Sequence, residues 1–187
     1  MITTTRDIVS AAYEYIDNGL SVIPIGKETK KPLTKWKKFQ SAPPVQEDVD
    51  KWDAEWEAFN VAILTGELSG LVVVDTDNAK AEQWWLDHGA TTPLTVKTKR
   101  GRHFYYAHPG GQVRNQVNMG GIEGVDLRGD GGYVLCPPSS RWVDGDDGGS
   151  EIFYAWEAAS GFGDADDLPL WTGPIVLAVE ADDIDLS

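Results

Sequence analysis

The chain has 187 residues, 41% of them hydrophobic, enough for one large domain with a real core, and its single cysteine, Cys136, excludes an internal disulfide framework. No stretch approaches the roughly 20 apolar residues of a membrane span, and no basic and apolar leader opens the sequence, so the expected product is soluble, untargeted and cytoplasmic. The net charge of −14 argues against an anionic partner, but all 16 Lys and Arg lie at or before Arg141 while residues 144–187 carry 12 acids, which leaves residues 1–143 close to neutral.

In chain order, Ile8, Ala11, Ala12, Tyr15 and Ile16 recur at helical spacing after a possible Thr5 cap, and Asn18-Gly19 supplies the stop. "SVIPI" reads as a short strand, followed by the lysine-rich loop "GKETKKPLTKWKKFQ". "PVQEDVDKWDAEW" predicts a helix with Val45, Val49, Trp52 and Trp56 on one face. "NVAILTG" and "GLVVVDTD" read as buried strands, and Asn78 is placed to cap a helix through "AKAEQWWLDH" to Gly89. From residue 94 the pattern alternates. "TVKTKRGRHFYYAH" predicts a hairpin turning near Gly101, and "GVDLRG" and "GGYVLCPPS" predict further strands of a mostly antiparallel sheet. Beyond residue 143 the chain is acidic and turn-rich, with "EIFYAWE" and "PIVLAVE" as short packed elements. The expected organisation is one domain over residues 1–180 and an acidic tail or linker remnant over 181–187. Gly26-Lys27 lacks the upstream glycine and the following Ser or Thr of a P-loop, which excludes helicase-type NTP hydrolysis in this chain.

The stretch "LVVVDTDN" runs a buried apolar segment into two carboxylates. Residues two apart on a strand share a face, with Cα atoms about 6.5 to 7 Å apart, so Asp75 and Asp77 aim together. Such a pair repels unless cations neutralise it, and all-oxygen ligands suit Mg²⁺ or Mn²⁺. Taken alone, D-x-D reads equally well as a strand end entering a solvated loop, and it is the run Leu71 to Val74 that anchors it to a rigid core. His103 follows "KTKRG" at the predicted hairpin, where regular pairing puts Lys99, Gly101 and His103 on one face and Arg100 and Arg102 on the other. That group either grips phosphates or is a solvated basic turn. Asp126 shares a face with Arg128 and precedes a glycine-rich segment, so a third carboxylate can reach the first two. Asp130, His88 and His108 read as structural. In the lysine-rich loop, Lys31 and Lys35 can track a nucleic-acid backbone while Trp36 stacks on a base or packs inside.

Four blocks in this order, "GLSVIPI" with "KKPLTKW", "NVAILTGELSGLVVVDTDN", "TVKTKRGRHFYY" and "GVDLRGDGGYVLCPPS", resemble the bifunctional DNA primase/polymerase domain, the prim-pol branch of the archaeo-eukaryotic primase superfamily. The resemblance covers most of residues 8–142. The residue patterns by themselves show only mixed α and β order. The resemblance implies an α+β (mixed α/β) fold in which an N-terminal α/β unit packs on an RRM-like antiparallel sheet, with the catalytic cleft between them. It also implies template-directed nucleotidyl transfer by a DNA primase or polymerase with two Mg²⁺ or Mn²⁺ ions, in phage, plasmid or mobile-element replication. Asp75, Asp77 and Asp126 fall on the family's metal ligands and His103 on its nucleotide-binding histidine, completing the catalytic set. Lys99, Arg100, Gly101 and Arg128 are then further nucleotide contacts, and Lys31, Lys35, Trp36 and Arg102 candidate nucleic-acid contacts. The implied partners are NTP or dNTP, a single-stranded or primed DNA template, and a helicase domain or protein. Two departures stand out. Lys99 and Arg100 replace the small residues that many relatives carry ahead of the histidine, and Asp77 stands where relatives often have Glu. Two other classes compete: a catalytically silent single-stranded nucleic-acid binding module, and a metal-dependent D-x-D glycosyltransferase, which leaves the His103 and Asp126 blocks unexplained.

Overall fold

The computed structural model describes residues 5–29, 31–144, 148–157 and 167–174. In chain order its elements are α1 (Thr5–Asp17), β1 (Val22–Ile25), α2 (Gln46–Glu55), β2 (Asn60–Leu64), β3 (Leu71–Thr76), α3 (Ala79–His88), β4 (Thr95–Lys97), β5 (Arg102–Ala107), β6 (Val125–Arg128), β7 (Tyr133–Leu135), β8 (Ser140–Val143), β9 (Ser150–Phe153) and β10 (Ala155–Trp156). "PIVLAVE" beyond Pro174 and the tail 181–187 lie outside the described residues. No helix among the described residues is long and apolar enough to cross a membrane.

Two antiparallel sheets carry the fold, ordered β1-β2-β7 and β10-β4-β5-β3-β6, with β8 and β9 forming a separate ribbon. Along β3 the side chains alternate between two cores. Val72 and Val74 join Phe104, Tyr106, Val125 and Leu127 beneath Ala81 and Trp85 of α3. Leu71 and Val73 join Val96 and Tyr105 against the apolar residues of α1, β1, β2 and β7. This is why "LVVV" is uniformly apolar: both of its faces are covered. Asp75 continues the Leu71 and Val73 face and so emerges toward the N-terminal unit. The succession β3, α3, β4, β5, β6 with order β4-β5-β3-β6 matches the RRM-like arrangement implied by the resemblance, with a loop and a short 3-10 turn (Met119–Gly121) in place of a second helix.

Two expectations are corrected. Strand β7 pairs with β2, through Ala62↔Leu135, Ile63↔Val134 and Leu64↔Tyr133, and not with the sheet that holds β6. The outer edge of β6 is met by Gln116, which exchanges backbone hydrogen bonds with Leu127, and the chain turns through Gly129–Gly132 and fills the free edge of β2. Val45 does not share the buried face of α2. It lies outside the helix, 54% exposed, where its N–H is capped by Asp48, while Val49 and Trp52 alone are buried and Trp56 ends the helix half-buried. Asn78 caps α3 as expected, accepting from the Ala81 N–H at 2.9 Å.

Candidate active site

The site is built at the ends of three adjacent strands. In register, Asp75 on β3 lies opposite His103 on β5 and opposite Asp126 on β6, so three polar side chains form one row across the sheet. His103 is buried, with Nε2 3.4 Å from Asp75 Oδ1. Its Nδ1 has no hydrogen-bond partner among the described residues. Asp126 is 8% exposed and both its oxygens are engaged: Oδ1 accepts from the Asn118 N–H at 3.0 Å, and Oδ2 from Arg128 Nη2 at 2.9 Å. The same Nη2 is 3.7 Å from Asp75 Oδ2. A guanidinium therefore lies between the two cross-strand carboxylates and offsets their repulsion. Strand β3 ends at Thr76, and Asp77 leaves it with its N–H donated to Gly124 O at 2.8 Å. Asp77 is exposed and still lines the same cavity as Asp75.

The turn between β4 and β5 is pinned beside these acids. Thr98 N–H donates to Gly101 O, and Thr76 Oγ1 both accepts from Arg102 N–H at 2.9 Å and donates to Arg102 O at 3.0 Å. Lys99 and Arg100 sit in this turn, outside either strand, so the strict alternation expected for them does not apply and both line the cavity with Asp77. Gly101 is buried against β3, where an added Cβ would overlap the Thr76 carbonyl oxygen. Its small size serves this close packing directly. Gly101→Ala is therefore expected to cost about 1 to 3 kcal/mol through overpacking and to shift the turn. Urea unfolding measures that loss, and wild-type stability would contradict the packing seen here. Arg102 points away from the site, paired with Glu82 and, at 2.6 Å, with Glu157, whose carboxyl is held below its ordinary range by that hydrogen bond.

Two cavities meet at Asp75, His103 and Tyr154. One, of about 460 Å³, opens toward the N-terminal unit and is lined by Trp36, Asn115, Arg128 and Tyr133. The other, of about 270 Å³, is lined by Asp77, Thr98, Lys99, Arg100 and Arg141. Trp36 starts the 3-10 turn Trp36–Gln40 and is half-buried, its ring 5.6 Å from Tyr133 in an edge-on arrangement. It is thus neither in the core nor out on the loop with Lys31 and Lys35, which are exposed and line neither cavity. Structural roles account for the other polar groups. Asp130 accepts from Glu67 N–H and Val113 N–H, His108 Nε2 lies 3.2 Å from Asp130, and His88 stacks on Trp84.

The sequence profile of the Prim-Pol family, bifunctional DNA primase/polymerase N-terminal, matches residues 12–171. The chain belongs to this family. A search of curated proteins gives no significant match. Membership in Prim-Pol places the chain among primase/polymerase domains, which act on a DNA template and nucleotides. The matched span contains Asp75, Asp77, His103 and Asp126 and reaches past β10, so the β8–β9 ribbon belongs to the domain. Two residues that line these cavities escaped the sequence reading. Arg141 on β8 and Tyr154 after β9 are 66 and 79 residues from Asp75 and carry no local motif. Burial raises the Tyr154 phenol above its ordinary range, the Arg141 guanidinium opposing and the Asp75 and Asp77 carboxylates adding to that rise.

Proposed function

We propose that this Prim-Pol domain catalyses template-directed nucleotidyl transfer at the cleft between its two sheets. The observation that carries the reading is the juxtaposition of Asp75 and Asp77 with Lys99, Arg100, Arg141 and His103 around one cavity. Carboxylates and cations around one cavity match a polyphosphate with a bound divalent cation, and a module that only binds single strands has no use for the acids. In the reaction the 3′-hydroxyl of the growing strand gives up its proton to water as its oxygen forms a bond to the α-phosphorus, the bond from that phosphorus to the β-phosphate oxygen breaks, and pyrophosphate leaves with the electron pair.

The donor set fits a hard divalent cation, being carboxylate oxygen throughout. As placed, no three Asp, Glu, His or Cys side chains among the described residues converge on one point, and Asp126 is engaged by Arg128 and Asn118. Asp75 and Asp77, which line one cavity, would hold the ion, and Asp126 would join them if Arg128 withdrew. Two ions held there would activate the attacking oxygen and hold the leaving pyrophosphate. The protein's own residues do the rest. His103 donates to a phosphate oxygen, Lys99 and Arg100 hold the polyphosphate, and Arg128 neutralises Asp75 and Asp126 while no metal is present. Replication of a phage, plasmid or mobile element is the proposed setting.

The test incubates the wild-type chain with Mn²⁺, NTPs or dNTPs, and a single-stranded or primed template. Extension products are expected. Complete absence of product, beside an active control polymerase, contradicts the reading, and template binding in that case favours the silent binding module.

A further inference from the structure

We infer that the incoming nucleotide lies across Tyr154, with its polyphosphate against Arg141 in the cationic cavity and its nucleoside against Trp36 and Tyr133 in the aromatic one. The inference rests on the nucleotidyl-transfer reading and adds an orientation and two contacts to it. A nucleoside triphosphate is a bipolar ligand, with a flat aromatic base at one end and a highly charged anion at the other. The site is bipolar in the same sense. Asp75, His103 and Tyr154 border both cavities, which puts the Asp75 carboxylate at their junction. The reacting α-phosphate belongs at that junction, beside Asp75. From there the β- and γ-phosphates have the cavity that holds Lys99, Arg100 and Arg141, and the base has the cavity that holds Trp36 and Tyr133.

Arg141 is the cation best suited to the polyphosphate. It reaches the cavity from β8, where backbone pairing with Ile152 of β9 holds it, rather than from a turn like Lys99 and Arg100. Among the described residues it forms no ion pair with a carboxylate, whereas Arg102 is paired with Glu82 and Glu157 and Arg128 with Asp75 and Asp126. Its planar fork suits phosphate oxygens. Its guanidinium interacts with the Tyr154 phenol, and Tyr154 is itself fixed: it is buried, its ring is 5.7 Å from the His103 ring, and its backbone N–H donates to Ser139 O at 2.8 Å. On the aromatic side, the 460 Å³ volume suits a nucleoside, and the part-buried edge-on pair of Trp36 and Tyr133 offers π surface for a base of any identity.

The test is calorimetric binding, with Mg²⁺ and without template, of three probes: a non-hydrolysable nucleoside triphosphate, inorganic tripolyphosphate, and the free nucleoside. Arg141→Ala is expected to weaken the triphosphate analogue and tripolyphosphate by on the order of ten- to a hundredfold, as for loss of a charge-assisted hydrogen bond, and to leave the nucleoside unaffected. Trp36→Ala is expected to weaken the analogue and the nucleoside roughly tenfold and to leave tripolyphosphate unaffected. Arg141→Lys, which keeps the charge and the stem, should recover part of the loss and serves as the readout should the alanine variant fail to fold. Unchanged tripolyphosphate affinity in the Arg141 variants, or a Trp36→Ala loss equal for tripolyphosphate and analogue, overturns the orientation and leaves the nucleotidyl-transfer reading standing. A wild type that binds no triphosphate overturns both.

Discussion

Replacing Asp75 with Asn is expected to lower templated nucleotide incorporation by at least about a thousandfold while leaving the fold intact. Asp75 borders both cavities and faces a polar cross-strand partner on each side, His103 and Asp126. Metal-held charge stabilisation supplies several kcal/mol to a transition state, and each 1.36 kcal/mol is about tenfold in rate, so losing the ligand at the centre of the set removes about three orders of magnitude. Asn preserves the shape, but its single carbonyl oxygen can face only one of His103 Nε2 and Arg128 Nη2, which lie against different oxygens of Asp75. A second measurement separates ligation from chemistry. Mn²⁺ should raise the melting temperature of the wild type more than that of Asp75→Asn, because a ligand that binds only the folded state stabilises it by mass action. Equal rises in the two proteins would remove Asp75 from the metal site, whatever the activity shows.

The second large effect concerns Arg128. Its Nη2 is the cation nearest both cross-strand carboxylates, and the Asp126 side chain is only 11% exposed against 30% for Arg128 itself. Taking the partner from a nearly buried carboxylate is strongly destabilising, and the exposure of the guanidinium reduces the figure to about 1 to 2 kcal/mol. For a chain of this size that is a fall of roughly 2 to 8 °C in melting temperature for Arg128→Met without metal. The same substitution frees Asp126 Oδ2, so the Mn²⁺-induced rise in melting temperature should be larger in the variant than in the wild type. A variant as stable as the wild type, or one less responsive to Mn²⁺, shows that Arg128 is not the resident counter-ion of the acids.

These effects differ in how far the sequence foretold them. Periodicity placed Asp75 and Asp77 on a common side of a strand end, and the strand does carry both to one cavity although it stops at Thr76. The capping signal at Asn78 was equally readable, because a cap involves groups three residues apart. Local chemistry of this kind is written in neighbouring letters. The partners of Asp75 are not local. His103 and Asp126 are 28 and 51 residues away, and their joint presence was legible only through four ordered blocks resembling a family. Periodicity also misjudged Val45, since a helix that begins one residue later leaves it outside the buried stripe.

By itself the sequence determined the mixed α and β order, the alternating second half, the apolar run that had to be buried on both faces, and the acidic pair that ends it. Only the tertiary structure decided that β7 crosses to β2, that Arg128 sits between Asp75 and Asp126, and that Arg141 and Tyr154 close the far side of the site. The division has one physical cause. Backbone preference and hydrophobic periodicity act over a few residues and leave their mark in the order of the chain, whereas strand order and the meeting of charges depend on which edges remain free once the first strands have paired, and no single segment records that.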